Sequence, residues 1–299
     1  MSILISILRQ NWKARLGVLI VLGFVLLAIF GPWFAEFAPE RRVGLPHQPP
    51  DGSHWLGTTR MGQDVFSQFV HGARTSLAVG FGAGFIVAAL GTLIGVVAGY
   101  FRGKVDEFLT FLTNVALVIP NLPLLLVLAA FIGSASPLVI MLIIGFTSWS
   151  WGARVIRAQT LALRDREFVH AAELLGEPRW RIIGVEILPN LVSIVGINFI
   201  GSVIYAVLTQ ATIEYLGLGN PLDVSWGIML YNAQNSAALY VGAWWEVLAP
   251  CVAIALLGAG LALLNFAIDE MANPRLRTYR LNRRVRQRMA ALSGKEVSA

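Results

Sequence analysis

The chain has 299 residues, is 56% hydrophobic and only 13% charged, and has a mean hydropathy of +0.68. That charged fraction is about half of what a soluble domain carries, which excludes an ordinary soluble protein and defines an integral membrane protein. The net charge of +6 does not form the basic stripe interleaved with exposed aromatics that nucleic acid requires, and the single Cys251, set in an apolar run, excludes a disulfide framework or a thiol pair.

Six stretches reach the about 20 apolar residues that a bilayer core requires: 16–34, 76–100, 108–132, 137–157, 191–215 and 246–268. No small-residue cleavage site follows the first, so it reads as a retained span that also targets the chain. An even count puts both termini on one side. Arg9, Lys13 and Arg15 precede the first span, and Arg275, Arg277, Arg280, Arg283, Arg284, Arg286, Arg288 and Lys295 follow the last, so both ends are expected in the cytoplasm. The same rule puts Arg102, Lys104 and the stretch 164–190 inside. The link near Ser134 and the loop 217–245, which lack Lys and Arg, are expected outside.

The segment 35–75 is expected to be an ordered external subdomain, because four acids accompany its four arginines. Its Pro-rich part at 45–52 should run extended or turned, and Asp64 is placed near a helix start. His47, His54 and His71 match no compact metal-ligand spacing and are read as turn and interface residues.

Within the spans the polar residues are informative, because burying them in lipid is costly. Gly80, Gly84, Gly91, Gly95 and Gly99 include small residues four apart, which let helices approach closely. Pro120, Asn121 and Pro123 break the third span at a depth where broken backbone is tolerated against protein or a water-filled path. Asn114, Asn121, Asn198 and Gln210, with Asn265, are candidates either to line such a path or to bond between helices. Glu214, inside the fifth span, lies at its outer end, where capping or interface contact is as good a reading as solute contact.

The stretch 164–190 is a charged island between apolar runs. Phe168, Ala171, Ala172 and Leu175 recur at i, i+3, i+4 and i+7, which predicts one apolar face on a short helix. Gly176 suits the position just past its end, and Pro178 the first turn of a second helix, whose face is Trp180, Ile183 and Ile187 and which is expected to end at Pro189. A compact helix, turn, helix unit with an apolar stripe has the form of a docking element, with an amphipathic segment lying on the membrane surface as the other reading.

The missing chemistry gives that element a purpose. The three lysines precede Ala14, Val105 and Glu296, so there is no Gly-Lys-Ser/Thr phosphate loop. No carboxylate pair lies mid-membrane for ion coupling, and no nucleophile, acid/base pair or metal cluster suggests an enzyme. An ion-coupled secondary transporter, the alternative from another class, would need such intramembrane ionisable partners. If transport is active, the motor is another chain.

His170, Ala171, Ala172, Gly176, Ile187, Leu188 and Pro189 resemble the coupling loop of permease subunits in bacterial ATP-binding-cassette importers, with His170 in place of its first Glu. His54, Leu56, Gly57, Thr58, Gly62, Asp64, Gly72, Ala73, Arg74, Ser76 and Leu77 resemble the external segment of the dipeptide/oligopeptide/nickel permease family. The likeness extends to Gly217–Gly219, Ser225, Trp226, Gly227 and the NPRLR at 273–277.

The resemblance implies an all-α integral membrane fold of the type I importer permease, with six transmembrane helices, a cytoplasmic coupling helix and an external loop subdomain. It divides the chain into 1–34, 35–75, a core at 76–268 that contains 164–190, and a basic cytoplasmic tail at 269–299. It also implies a non-catalytic subunit of the bacterial inner membrane that forms half of a translocation pathway with a homologous permease. Two ATPase subunits would hold ATP and Mg, this chain would carry no cofactor or metal, and a solute-binding protein would deliver the solute. Phe168, His170, Ala171, Ala172, Glu173, Leu175, Gly176 and Arg179 would contact the ATPase, while His54, Gly57, Asp64 and Arg74 would belong to the external contact. Peptides lead as the solute, short oligosaccharides are the alternative, and nickel comes behind them.

Overall fold

The computed structural model describes residues 12–272. Arg9, the motif at 273–277 and the basic tail lie outside the described residues. Among the described residues all regular structure is helical, with β pairing limited to isolated bridges.

The elements are α1 (Trp12–Phe34), α2 (Val65–Phe101), α3 (Gly103–Val118), α4 (Asn121–Ile132), α5 (Pro137–Thr147), α6 (Ser150–Arg164), α7 (Glu167–Leu174), the short α8 (Arg179–Arg181), a π-helical turn at Ile182–Ile187, α9 (Leu188–Tyr215), α10 (Trp226–Asn235) and α11 (Trp245–Ala272). Five helical runs are long and apolar enough to cross a bilayer, and α3 with α4 makes six if that pair, bent by 80°, is one span.

α2 is the central helix. Its 37 residues extend about 55 Å at the usual helical rise, well beyond a bilayer core of about 30 Å. The helix starts at Val65, beside the Asp64 expected near a helix start, and continues through the span read at 76–100. Asp64 caps it, accepting the Ser67 N–H at 2.7 Å and the Ser67 hydroxyl at 2.8 Å, so the last part of the external segment is already helix. The glycines explain why α2 can sit in the middle. A Cβ on Gly80 or Gly84 would strike Val207 or Val203 of α9, and one on Gly95 or Gly99 would strike Ala153, Ile156 or Thr160 of α6. One helix thus packs closely on two others, by the four-apart spacing read from the sequence.

The break in the third span falls between Val118 and Asn121, where Pro120 takes an extended backbone before α4. The fourth span is also interrupted, at Ser148 and Trp149 between α5 and α6.

One connection holds more structure than was read from the sequence, and one expectation is corrected. The loop 217–245 contains α10, which packs against α2, α9 and α11. Trp226 at its start is fully buried, donating its indole N–H to the Phe69 carbonyl at 3.1 Å and its backbone N–H to Ser76 Oγ at 3.2 Å. The polar character of the surrounding loop hid this ten-residue helix. Pro189 does not end a helix either, because the π-helical turn runs directly into α9. The wider π register, in which the Leu188 N–H reaches the Ile183 carbonyl, lets the chain pass a proline without a break. Asn190 completes the passage by donating its side-chain amide to the Glu186 carbonyl at 2.7 Å.

Candidate functional site

The unit at 164–190 has an inner and an outer surface. Val169 and Ala172 of α7, with Ile182 and Ile187 of the π-helical turn, are buried against Val96 and Tyr100 of α2, Ile156 of α6 and Leu191 of α9. Three polar contacts fasten the same edge to the end of α2. Arg102 Nη2 donates to both oxygens of Asp165 at 2.5 and 2.8 Å, Arg164 lies over the Tyr100 ring at 5.4 Å, and Arg179 lies over the Phe101 ring at 5.8 Å. Next to it Arg157 Nε and Nη2 donate to Asp106 at 2.5 and 2.7 Å, which ties α6 to α3.

Gly176 ends α7 in the left-handed region at φ +75°, and the Glu177 N–H reaches back to the Ala172 carbonyl at 3.1 Å while the Gly176 N–H bonds the Glu173 carbonyl at 3.0 Å. These two bonds form the Schellman arrangement that Gly permits at little cost. Pro178 then takes the N-cap position of α8, one residue earlier than the first helical turn expected for it. Arg181 pairs with Glu177 across this turn.

The outer surface is apolar although none of the described residues covers it. Leu174 is 90% exposed, Leu175 82% and Trp180 75%, and Phe168 is also exposed. Ala171, with Phe168, Leu175 and the inner Ala172 and Ile182, lines a shallow groove of about 320 Å³ edged by Glu177, Arg181 and Glu186. His170 and Glu173 are exposed on the same helix, with His170 Nδ1 3.6 Å from a Glu173 oxygen. Of the eight residues expected to meet an ATPase, seven are exposed, and Ala172 is buried against this chain's own core at the floor of the groove. Leu174 belongs to the outer surface although it falls off the periodic face read from the sequence, and Trp180, read as part of the second face, is exposed there beside it.

The external segment is built on buried polar contacts. His54 and Asp64 are both buried, with His54 Nδ1 3.1 Å from Asp64 Oδ1. Gly57 is in the left-handed region at φ +70°, and a Cβ there would strike the Gln48 carbonyl and Trp245. These residues hold the segment together from within, so its outward face is formed by others, such as Trp55, Arg60, Met61 and the exposed Arg74. The His54 and Ser53 N–H groups and the Gln48 amide hold the Asp51 carboxyl below the usual aspartate range, led by the His54 N–H. The three histidines have separate partners: His47 bonds Glu246 at 2.7 Å, His54 faces Asp64, and His71 bonds the Ser67 carbonyl at 2.8 Å.

The pathway candidates separate into two groups. Asn121 and Asn198 line one cavity of about 630 Å³, together with Asn265, Ser148 and Tyr205. Asn114 is exposed and accepts from Arg154 Nη2 at 2.9 Å, outside that cavity. Gln210 is fully buried elsewhere and donates to Glu214 at 3.0 Å. Glu214 in turn accepts from Ser225 at 2.6 Å, and Ser225 caps α10 by accepting the Ile228 N–H at 3.1 Å. Glu214, inside the fifth proposed span, thus anchors the buried end of α10.

The fold and these surfaces define a class: a multi-pass helical membrane protein with an interrupted core and an uncovered docking unit. Residues 91–278 match the family model described as the binding-protein-dependent transport system inner membrane component, and residues 4–50 match the N-terminal TM domain of oligopeptide transport permease C. The chain is 32% identical over 276 residues to a putative peptide transport system permease protein of Brucella abortus, covering 90% of each chain. It is 30% identical over 273 residues to the dipeptide transport system permease protein DppC of Bacillus subtilis, covering 90% of this chain and 84% of that one. To the probable D,D-dipeptide transport system permease protein DdpC of Escherichia coli it is 31% identical over 275 residues, 91% of each chain. The protein therefore belongs to the family of binding-protein-dependent transport permeases, non-catalytic membrane subunits that work with ATPase and solute-binding partners.

Proposed function

We propose that this chain imports short peptides as one of two homologous permeases, and that its unit at 164–190 is the handle by which ATPase subunits drive it. The observation that carries the reading is the pairing of a fastened inner face with a bare outer one. Arg102, Tyr100 and Phe101 fix the unit to α2, while Phe168, Leu174, Leu175 and Trp180 expose apolar area that a partner groove would cover. Burying such side chains is worth about 1.5–3 kcal/mol each before the costs of association. A push delivered there passes into α2, the helix against which α6 and α9 pack closely.

ATP and Mg sit on the ATPase chains in this scheme, both termini face the cytoplasm, and the external segment receives the solute-binding protein. Peptides are chosen because the relatives described above are peptide and dipeptide permeases by name. The test is co-purification and transport. Replacing Phe168 and Leu175 by Ser should release the ATPase from the membrane complex and abolish peptide uptake in proteoliposomes, with the permease still inserted. Retention of the ATPase and normal uptake would remove the docking assignment.

A further inference from the structure

We propose that Asn121, Asn198 and Asn265 form an uncharged contact station in the transport path that hydrogen-bonds the main chain of the passing peptide. This rests on the peptide import proposed above and adds where, and by what chemistry, the solute is touched.

The station lies where both helix breaks meet. The wall of the 630 Å³ cavity includes Pro120 and Asn121 from the α3–α4 break and Ser148 and Ser150 from the α5–α6 break. Asn121 Nδ2 donates to Ser148 Oγ at 3.3 Å, so one hydrogen bond joins the two interruptions. Interrupted backbone at membrane depth is stable only where protein or a water-filled space satisfies it, and this cavity supplies that space. Its size falls within the range of small-ligand sites.

Three side-chain atoms in the same wall have no partner. Asn121 Oδ1, Asn198 Nδ2 and Asn265 Oδ1 are each buried without a hydrogen bond. A buried polar atom left unpaired costs about 1–3 kcal/mol. The side chains that carry them come from three separate elements, the start of α4, α9 and α11, and all line this cavity, where a turn of each amide would bring its buried atom to a polar occupant. Water serves between turnovers, and a solute replaces it.

The chemistry of the set narrows that occupant. Each amide carries an acceptor and a donor, the counterparts of peptide N–H and C=O groups. Among the described residues the lining contains no Asp, Glu, Lys, Arg, His or Cys, so it does not select a charged side chain and lacks the carboxylate, imidazole or thiolate that a divalent metal ion requires. Reading the main chain through neutral amides is blind to peptide sequence. Neutral amides also bind weakly enough to release, as a path requires.

The test uses the complete transporter, with its ATPase and solute-binding partners, in proteoliposomes. The probes are radiolabelled trialanine, maltotriose and nickel chloride. In the double variant Asn198→Leu/Asn265→Leu, trialanine uptake should fall about tenfold or more, the effect of losing roughly 1.4 kcal/mol of contact, while stimulated ATP hydrolysis changes less than about twofold. Undiminished trialanine uptake in that variant would overturn the station alone. Wild-type uptake of maltotriose or nickel without trialanine would overturn the peptide reading and the station with it. A second measurement guards against a folding defect: with Cys251→Ala as background, Asn198→Cys and Asn265→Cys should react with a membrane-impermeant thiol reagent, whereas Leu22→Cys on lipid-facing α1 should not. Failure of both cavity cysteines to react would show a dry site and refute the proposal.

Discussion

Arg102, at the end of α2, grips both carboxylate oxygens of Asp165, which opens the turn into α7. A second pair, Arg157 with Asp106, holds α6 to α3 nearby, but the two differ in burial. In the first the side chains are 46% and 61% exposed, in the second 31% and 15%. The exposed pair should contribute less than about 1 kcal/mol to stability, so Arg102→Ala should barely move the thermal midpoint of the purified complex. Asp106→Ala leaves a half-buried guanidinium without its bidentate partner, along with the Thr110 hydroxyl, and should cost roughly 1–3 kcal/mol. Equal shifts in the two variants would contradict this ranking. Transport should follow the opposite order, since Arg102 fastens the docking unit: Arg102→Asp should lower uptake per ATP, and adding Asp165→Arg should restore part of it.

Gly176 isolates backbone geometry from packing. Nothing lies within 4 Å of a Cβ placed there, so a substitution meets no neighbour, only the φ of +75°. A β-branched residue in the left-handed region costs roughly 1–2 kcal/mol. Gly176→Val should therefore insert normally yet uncouple ATP hydrolysis from uptake by unwinding the turn at Glu177. Gly176→Asn, which tolerates that conformation, should keep most of the coupling. Normal stimulated uptake in the Val variant would weigh heavily against a coupling role.

The glycine-lined face of α2 predicts a sharp positional contrast. A Cβ at Gly95 would stand 2.6 Å from the Ala153 carbonyl and 2.8 Å from Ile156 Cβ, whereas one at Gly258 meets nothing. Overpacking a close helix contact costs typically about 1–3 kcal/mol. Gly95→Val should cut the yield of folded protein in detergent several-fold, and Gly258→Val should leave it near the wild type. Size-exclusion profiles of the two would read the difference.

The external segment offers a test of partner contact. Because His54, Gly57 and Asp64 are interior, photo-cross-linkers belong at Arg60 and Met61, which are exposed beside them. They should capture the solute-binding protein, and more strongly with solute present. Consistent failure at both positions, and at Arg74, would remove the segment from the docking surface.

Much of this was legible in one dimension because the bilayer simplifies the code. A span must be apolar for about 20 residues, so composition alone located six of them, and the four-apart glycines marked α2 as a close-packing helix before any contact was known. Gly176 declared the end of α7 for an equally local reason, since few other residues accept a positive φ. The resemblance of 164–190 and of the external segment to one permease family followed from such short local patterns.

What sequence could not decide was every question of facing. Whether Ala172 looks inward while Leu174 looks out depends on where α2 lies, and whether Asn121, Asn198 and Asn265 meet while Asn114 and Gln210 stay apart depends on how the four elements that carry them are packed. Helix α10 was hidden because burial by neighbours, not its own polarity, keeps Trp226 out of water. The passage through Pro189 needed the π register and the Asn190 amide, a compensation spread over several turns. Local chemistry fixes where a helix can start, stop or cross a membrane. Which of its sides remains free to bind is set only when the other helices have taken theirs.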